Sequence, residues 1–132
     1  MKQQISATSH FKNEGFEGEL ELKEGSIEIG IGPKQLSPYR MLQGALMACF
    51  HSTFMDIITK KKQSFESVTY KTSGEKREDV PTTIETMHID IYIKAGSNEL
   101  AIEKSFALAA KVCSVYQTLS KVADMSYSIH FE

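Results

Sequence analysis

Cys49 and Cys113 are the only cysteines in this sequence of 132 residues, and they are its best candidates for nucleophilic chemistry. The thiolate is the nucleophilic form of cysteine, and two thiols in a chain of this kind raise a question of chemistry rather than of scaffolding. The two lie 64 residues apart. Met1 to His10 is polar and lacks an apolar run of signal-peptide length, so reduced thiols in a cytoplasmic protein are expected. Taken singly, either cysteine reads more readily as a small hydrophobe in a core. Other chemistries find less support. His10, His51, His88 and His130 are scattered, with no His-Glu-x-x-His and no close cysteine pair, so no metal is expected. His51 follows Cys49 by two residues, about 200° around a helix, which assigns it to a polar face and not to base catalysis. Gly30-Ile31-Gly32 runs into Pro33 and reads as a turn, not a dinucleotide loop, and no G-x-S-x-G occurs.

These thiols must be positioned by one domain, 1–132, since the length suits a single core. Hydrophobic residues at 41% and charged residues at 24% are ordinary globular usage. A net charge of −2 offers polyanions no general attraction, so nucleic acid is not an expected partner. The longest greasy segment, Met41 to Phe50, is too short to span a membrane.

Phe16, Gly18, Leu20 and Leu22 alternate with glutamates, and Lys23-Glu24-Gly25 turns into Ile27, Ile29 and Ile31, which predicts a β-meander. Ser37-Pro38 opens a long helix ending at Lys60, Lys61 and Lys62. Val68, Tyr70 and Thr72, then Met87, Ile89, Ile91 and Ile93, predict two strands joined by an exposed, mobile loop from Gly74 to Thr83. A second helix from Ser97-Asn98-Glu99 carries Ile102, Phe106, Ala109, Ala110 and Cys113 on one stripe, and Met125 to Phe131 closes the chain as a strand. The order βββ-α-ββ-α-β implies α+β with a mainly antiparallel sheet. From Met41 to Phe50 the first helix is apolar or small nearly all round, which calls for burial on most sides. A homodimer with a shared core would supply that cover.

Two windows carry a sharper signal: Ser37 to Ser52, SPYRMLQGALMACFHS, and Ala107 to Val122, ALAAKVCSVYQTLSKV. Together they resemble the OsmC/Ohr superfamily, the osmotically inducible and organic-hydroperoxide-resistance proteins. Its members pair an Ala-Cys helix with a later Cys-Pro/Ser-hydrophobic-x-x-Thr/Ser-Leu motif, and the strand order is similar. The resemblance implies an OsmC-like fold in which sheets wrap a long central helix in an intertwined homodimer, with two sites at the subunit interface. It also implies a peroxidatic Cys49 and a resolving Cys113, without cofactor. The substrate would be an organic or fatty-acid hydroperoxide, with a dithiol reductant closing the cycle. Met47, Phe50, Phe54 and Tyr116 suit the walls of an apolar pocket, and each also suits plain core packing.

The resemblance has a gap. Family peroxidases use an N-terminal arginine, held by a glutamate near the start of the central helix, to stabilise the thiolate. Residues 1 to 39 contain no arginine, and Tyr39 and Arg40 stand where the acidic residue is expected. Arg40 precedes Cys49 by nine residues, about 900° and about 13.5 Å along a helix, so it would have to serve a thiol across a dimer interface. Lys12 or Lys34 are further candidates for the positive charge. A second reading is therefore a non-catalytic OsmC-like protein that binds an apolar small molecule at the dimer interface, and a third is a purely structural module with inert thiols.

Overall fold

Glutamates alternating with aliphatic and small residues make strands in the first third of the chain, and spacings of three and four make helices later. The computed structural model describes residues 1–94 and 96–132. Its elements are β1 (Ser9–Phe11), β2 (Glu17–Glu21), β3 (Ser26–Gly30), α1 (Pro38–Lys60), β4 (Ser67–Lys76), β5 (Ile84–Lys94), α2 (Glu99–Val112), α3 (Ser114–Ser120) and β6 (Asp124–Phe131). The architecture is α+β with two three-stranded sheets. Two compact units divide within α1, Met1–Gly44 and Ala45–Glu132.

In the first unit, β1, β2 and β3 form an antiparallel meander in which Leu20 pairs with both Ser9 and Ile27. The turn between β2 and β3 requires Gly25, whose φ of 80° lies in the left-handed region. The segment after β3 is the predicted turn. Gln35 closes it, its carboxamide oxygen accepting the Gly32 N–H at 2.9 Å while its backbone N–H donates to Gly32 O at 3.1 Å.

The second unit holds the aromatic core. Leu46, Phe50, Phe54 and Ile58, spaced by four on α1, are buried. Phe106 of α2 stacks on Phe54 with ring centroids 3.9 Å apart and on Phe50 at 6.0 Å. Tyr70 of β4, Tyr116 of α3 and Tyr127 of β6 surround Phe50. Burying each such phenylalanine stabilises the unit by about 1.5–3 kcal/mol. β5 is the middle strand of the sheet, and its Met87, Ile89, Ile91 and Ile93 are buried. β4 pairs with it antiparallel, whereas β6 pairs parallel, with α2 and α3 lying between β5 and β6 in the chain. A parallel neighbour needs such a crossover, and the sequence pattern implied only hairpin-like neighbours.

Within one chain the first half of α1 is covered along one stripe only: Ala45 and Ala48 are exposed, and Met41, Leu42 and Met47 only half-buried, the shortfall in cover that the sequence leads one to expect of a single copy. By length and composition alone, α1 in full is also apolar enough to cross a bilayer, unlike its Met41 to Phe50 run. The expected second helix ends where its stripe closes, at Cys113, and a further short helix, α3, follows it. Cys113 stands between α2 and α3 in extended conformation, with φ −66° and ψ 118°. The loop after β4 is exposed at Glu78 to Pro81 as expected but starts later, since β4 runs on to Lys76; at its base Arg77 donates to Thr83 Oγ1 at 3.1 Å, Ile84 O at 2.6 Å and Val122 O at 3.1 Å.

Candidate active site

The corner between α2 and α3 decides where the two sulfurs lie. Asn98 caps α2 through its side chain, which accepts the Ala101 N–H at 3.0 Å. At the other end the Cys113 N–H still donates to Ala109 O at 2.8 Å, but its ψ leaves the helical region. Cys113 then caps α3, its sulfur accepting the Tyr116 N–H at 3.5 Å. The Gln117 backbone N–H donates to Cys113 O at 3.0 Å, and its side-chain Nε2 donates to Ala110 O at 2.8 Å. The turn is therefore tied to both helices.

That corner brings Cys113 Sγ to 3.4 Å from Cys49 Sγ. Both are free thiols; Cys113 is buried and Cys49 half-buried, so an oxidant arriving from solvent meets Cys49 first. Ser114 Oγ lies 3.7 Å from Cys49 Sγ. Burial alone would raise the Cys49 pKa. Hydrogen bonds from the Val115 N–H, the Cys113 thiol, the Ser114 hydroxyl and the Ser114 N–H outweigh it, and the thiol titrates below its ordinary value. Cys113 moves the other way: burial pushes it up, and the hydrogen bond and charge of Cys49 push in the same direction, against the Tyr116 N–H. One sulfur is shifted toward the thiolate and its neighbour toward the thiol, with the Cys113 S–H directed at Cys49.

Other residues singled out from the sequence lie as follows. Among the described residues, the hydrogen-bonding groups that lower the Cys49 pKa come from residues 113 to 115. Arg40 is exposed in the first turn of α1, and with Gly30, Ile31, Gly32, Pro33, Gln35 and Ser37 it lines a surface hollow of the first unit. Lys12 is exposed and pairs with Glu17 at 3.6 Å, and Lys34 is exposed. Phe50 and Phe54 are fully buried and build the core instead of walling an open pocket; Tyr116 is nearly so. Met47 lines an open groove of about 510 Å³ with Ala48, His51, Phe65, Ser67, Val68 and Tyr70.

His51 is not a polar-face residue. Its Nδ1 is 2.9 Å from the Tyr70 hydroxyl, its ring packs among Phe54, Phe65 and Tyr70, and burial lowers its pKa. The histidines are less scattered than their positions suggest. His88 and His130 meet on Asp90, at 3.4 and 2.9 Å, and the His130 hydrogen bond holds that carboxyl below its ordinary range. Among the described residues no group of three His, Cys, Asp or Glu is arranged to hold a metal ion. Ser114, beside the Cys49 sulfur, was not singled out from the sequence, where its one signal was its place directly after Cys113.

Residues 31–128 match the family described as OsmC-like protein. Among solved structures, the fold is similar to that of an OsmC-like protein from Mycoplasma pneumoniae, with TM-score 0.87, 15% identity and 99% of each chain covered. An OsmC-like protein of unknown function from Vibrio cholerae aligns with TM-score 0.84 at 16% identity, over 98% of this chain and 100% of that one. An organic hydroperoxide resistance protein from Legionella pneumophila aligns with TM-score 0.72 at 16% identity, over 97% and 98%. No curated protein matches the sequence.

Proposed function

The chain belongs to the OsmC-like protein family, and on that premise we propose that it is a thiol-dependent peroxidase of organic hydroperoxides, with Cys49 as the attacking and Cys113 as the resolving thiol. The observation that carries this reading is the 3.4 Å separation of two free sulfurs whose pKa values are pushed in opposite directions. The Cys49 thiolate attacks the terminal oxygen of ROOH. An S–O bond forms as the O–O bond breaks, Cys49 becomes a sulfenic acid, and the departing alkoxide takes up a proton as the alcohol. Burial still holds the Cys113 pKa up, but the charge of Cys49 that added to it has then gone. Cys113 loses its proton and attacks the Cys49 sulfur, and hydroxide leaves with that proton as water, which closes the disulfide. A dithiol reductant returns two electrons and two protons.

A homodimer forms part of this proposal. The exposed Ala45, Ala48 and Met55 and the half-buried Met41, Leu42 and Met47 on α1 present apolar surface that a second copy would cover. A cytoplasmic location, where a dithiol donor keeps both cysteines reduced, completes it. The groove beside Met47 and His51 favours a second reading, binding of an apolar small molecule without turnover.

The pre-reduced protein, its Cys49→Ser variant and its Cys113→Ser variant are each given one equivalent of cumene hydroperoxide, and free thiols are counted. Rapid loss of two thiols in the parent, no reaction in Cys49→Ser and a trappable sulfenic acid in Cys113→Ser support the peroxidase. Slow oxidation indifferent to Cys49→Ser overturns it in favour of the binding reading. Sedimentation at micromolar concentration tests the dimer, and a monomer would remove that part.

A further inference from the structure

Ser114 is presented to the Cys49 sulfur by a braced piece of backbone. It is the first residue of α3, Thr118 Oγ1 donates to its carbonyl at 2.8 Å, and Gln117 ties the preceding Cys113 and Ala110 carbonyls. Its hydroxyl reaches Cys49 Sγ at 3.7 Å. Once Cys49 is an anion this contact has one polarity, because a thiolate only accepts and the hydroxyl must donate. Building on the peroxidase reading, we propose that Ser114 holds Cys49 in its reactive, anionic form, in the role that a neighbouring cationic side chain plays in many thiol enzymes.

The donors around Cys49 support this. Of the four that favour its thiolate, two belong to Ser114, the hydroxyl and the backbone N–H. The backbone would accept a residue that supplies neither. Cys113 already has the extended conformation preferred before proline, with ψ 118°, and the first position of a helix is where proline is best tolerated. A serine here adds two donors at a place where the fold alone would be content with none.

The test measures the pH dependence of Cys49 alkylation by iodoacetamide, scored by peptide mass so that Cys113 is read separately. The full-length, pre-reduced parent is compared with Ser114→Ala, Ser114→Pro and Ser114→Thr. A hydrogen bond to a charged group sets the scale, and at this long separation the midpoint is expected to rise by about half a pH unit in Ser114→Ala and by about one unit in Ser114→Pro. Ser114→Thr, which keeps the hydroxyl, is expected to restore most of the shift seen in Ser114→Ala. Midpoints within about 0.2 unit of the parent in both Ser114→Ala and Ser114→Pro would overturn the assignment. Circular dichroism checks folding, and should Ser114→Pro unfold, Ser114→Ala decides alone. Because alkylation needs no peroxide, the two proposals fail separately. Shifted midpoints with no hydroperoxide consumption would leave Ser114 in place and remove the peroxidase; consumption with unmoved midpoints would do the reverse.

Discussion

Joining Cys49 to Cys113 by oxidation ties together positions 64 residues apart and should raise the stability of the folded chain. In the chain-entropy view, closing a loop of that length removes about 4 kcal/mol of denatured-state freedom at 25 °C. Some of the gain is lost. The Cys113 sulfur caps α3 by accepting the Tyr116 N–H, and closing the 3.4 Å gap to a bond of about 2.05 Å pulls it off that donor. A lost cap costs about 1 kcal/mol, which leaves a net gain of about 3 kcal/mol. With an unfolding entropy of about 2.1 cal/mol/K per residue over 132 residues, the midpoint of thermal unfolding should rise by on the order of 10 °C. The assay compares calorimetric scans of the reduced chain and of the chain treated with one equivalent of cumene hydroperoxide. Mass spectrometry confirms an intrachain disulfide, and a reductant reverses the shift. An intrachain Cys49–Cys113 disulfide that leaves the midpoint unchanged or lowers it would refute the reasoning, because the bond would then have formed at the expense of the native packing.

Three further outcomes follow from the same geometry. Hydroperoxide consumption should rise with pH and reach half its maximum below the ordinary thiol range, since the thiolate is the reactive form and the fold lowers the Cys49 pKa; a midpoint at or above that of a free cysteine in a pH–rate profile would contradict it. Stability is a poorer readout. The depressed Cys49 adds stability that is lost as pH falls through its folded pKa, while the raised Cys113 removes stability as pH climbs past the ordinary thiol value. Arg77→Ala frees the loop after β4 from Thr83, Ile84 and Val122 and should cost about 2 kcal/mol in urea titrations. Phe106→Ala empties the centre of the stack with Phe50 and Phe54 and should cost about 3–5 kcal/mol by the same measurement. A loss below about 1 kcal/mol would mean that the core is not organised around that ring.

Short-range periodicity is written into a sequence wherever one face of an element is greasy, and it was legible here. The alternation of Met87, Ile89, Ile91 and Ile93 became the buried side of β5, Ser37-Pro38 opened α1, and the α2 stripe ran from Ile102 to Ala110. The two windows around the cysteines pointed to the family that residues 31–128 match. What escaped depended on partners distant in the chain. Arg77 looked like a loop charge because Val122 comes 45 residues later. His51 looked solvated because Tyr70 belongs to another element, and nothing local brought His130 to Asp90.

The split at Cys113 shows the division most clearly. Periodicity makes it the close of the α2 stripe, and the packed chain turns there and also uses the cysteine as the cap of α3. By itself the sequence determined which residues are apolar, which two bear thiols and where elements are free to start, because these depend on side-chain type and neighbours within a turn or two. Only tertiary structure decided that the two sulfurs meet, that one is lowered and the other raised in pKa, and that Ser114 stands beside them, because burial and hydrogen bonding exist only between groups that packing has already brought together.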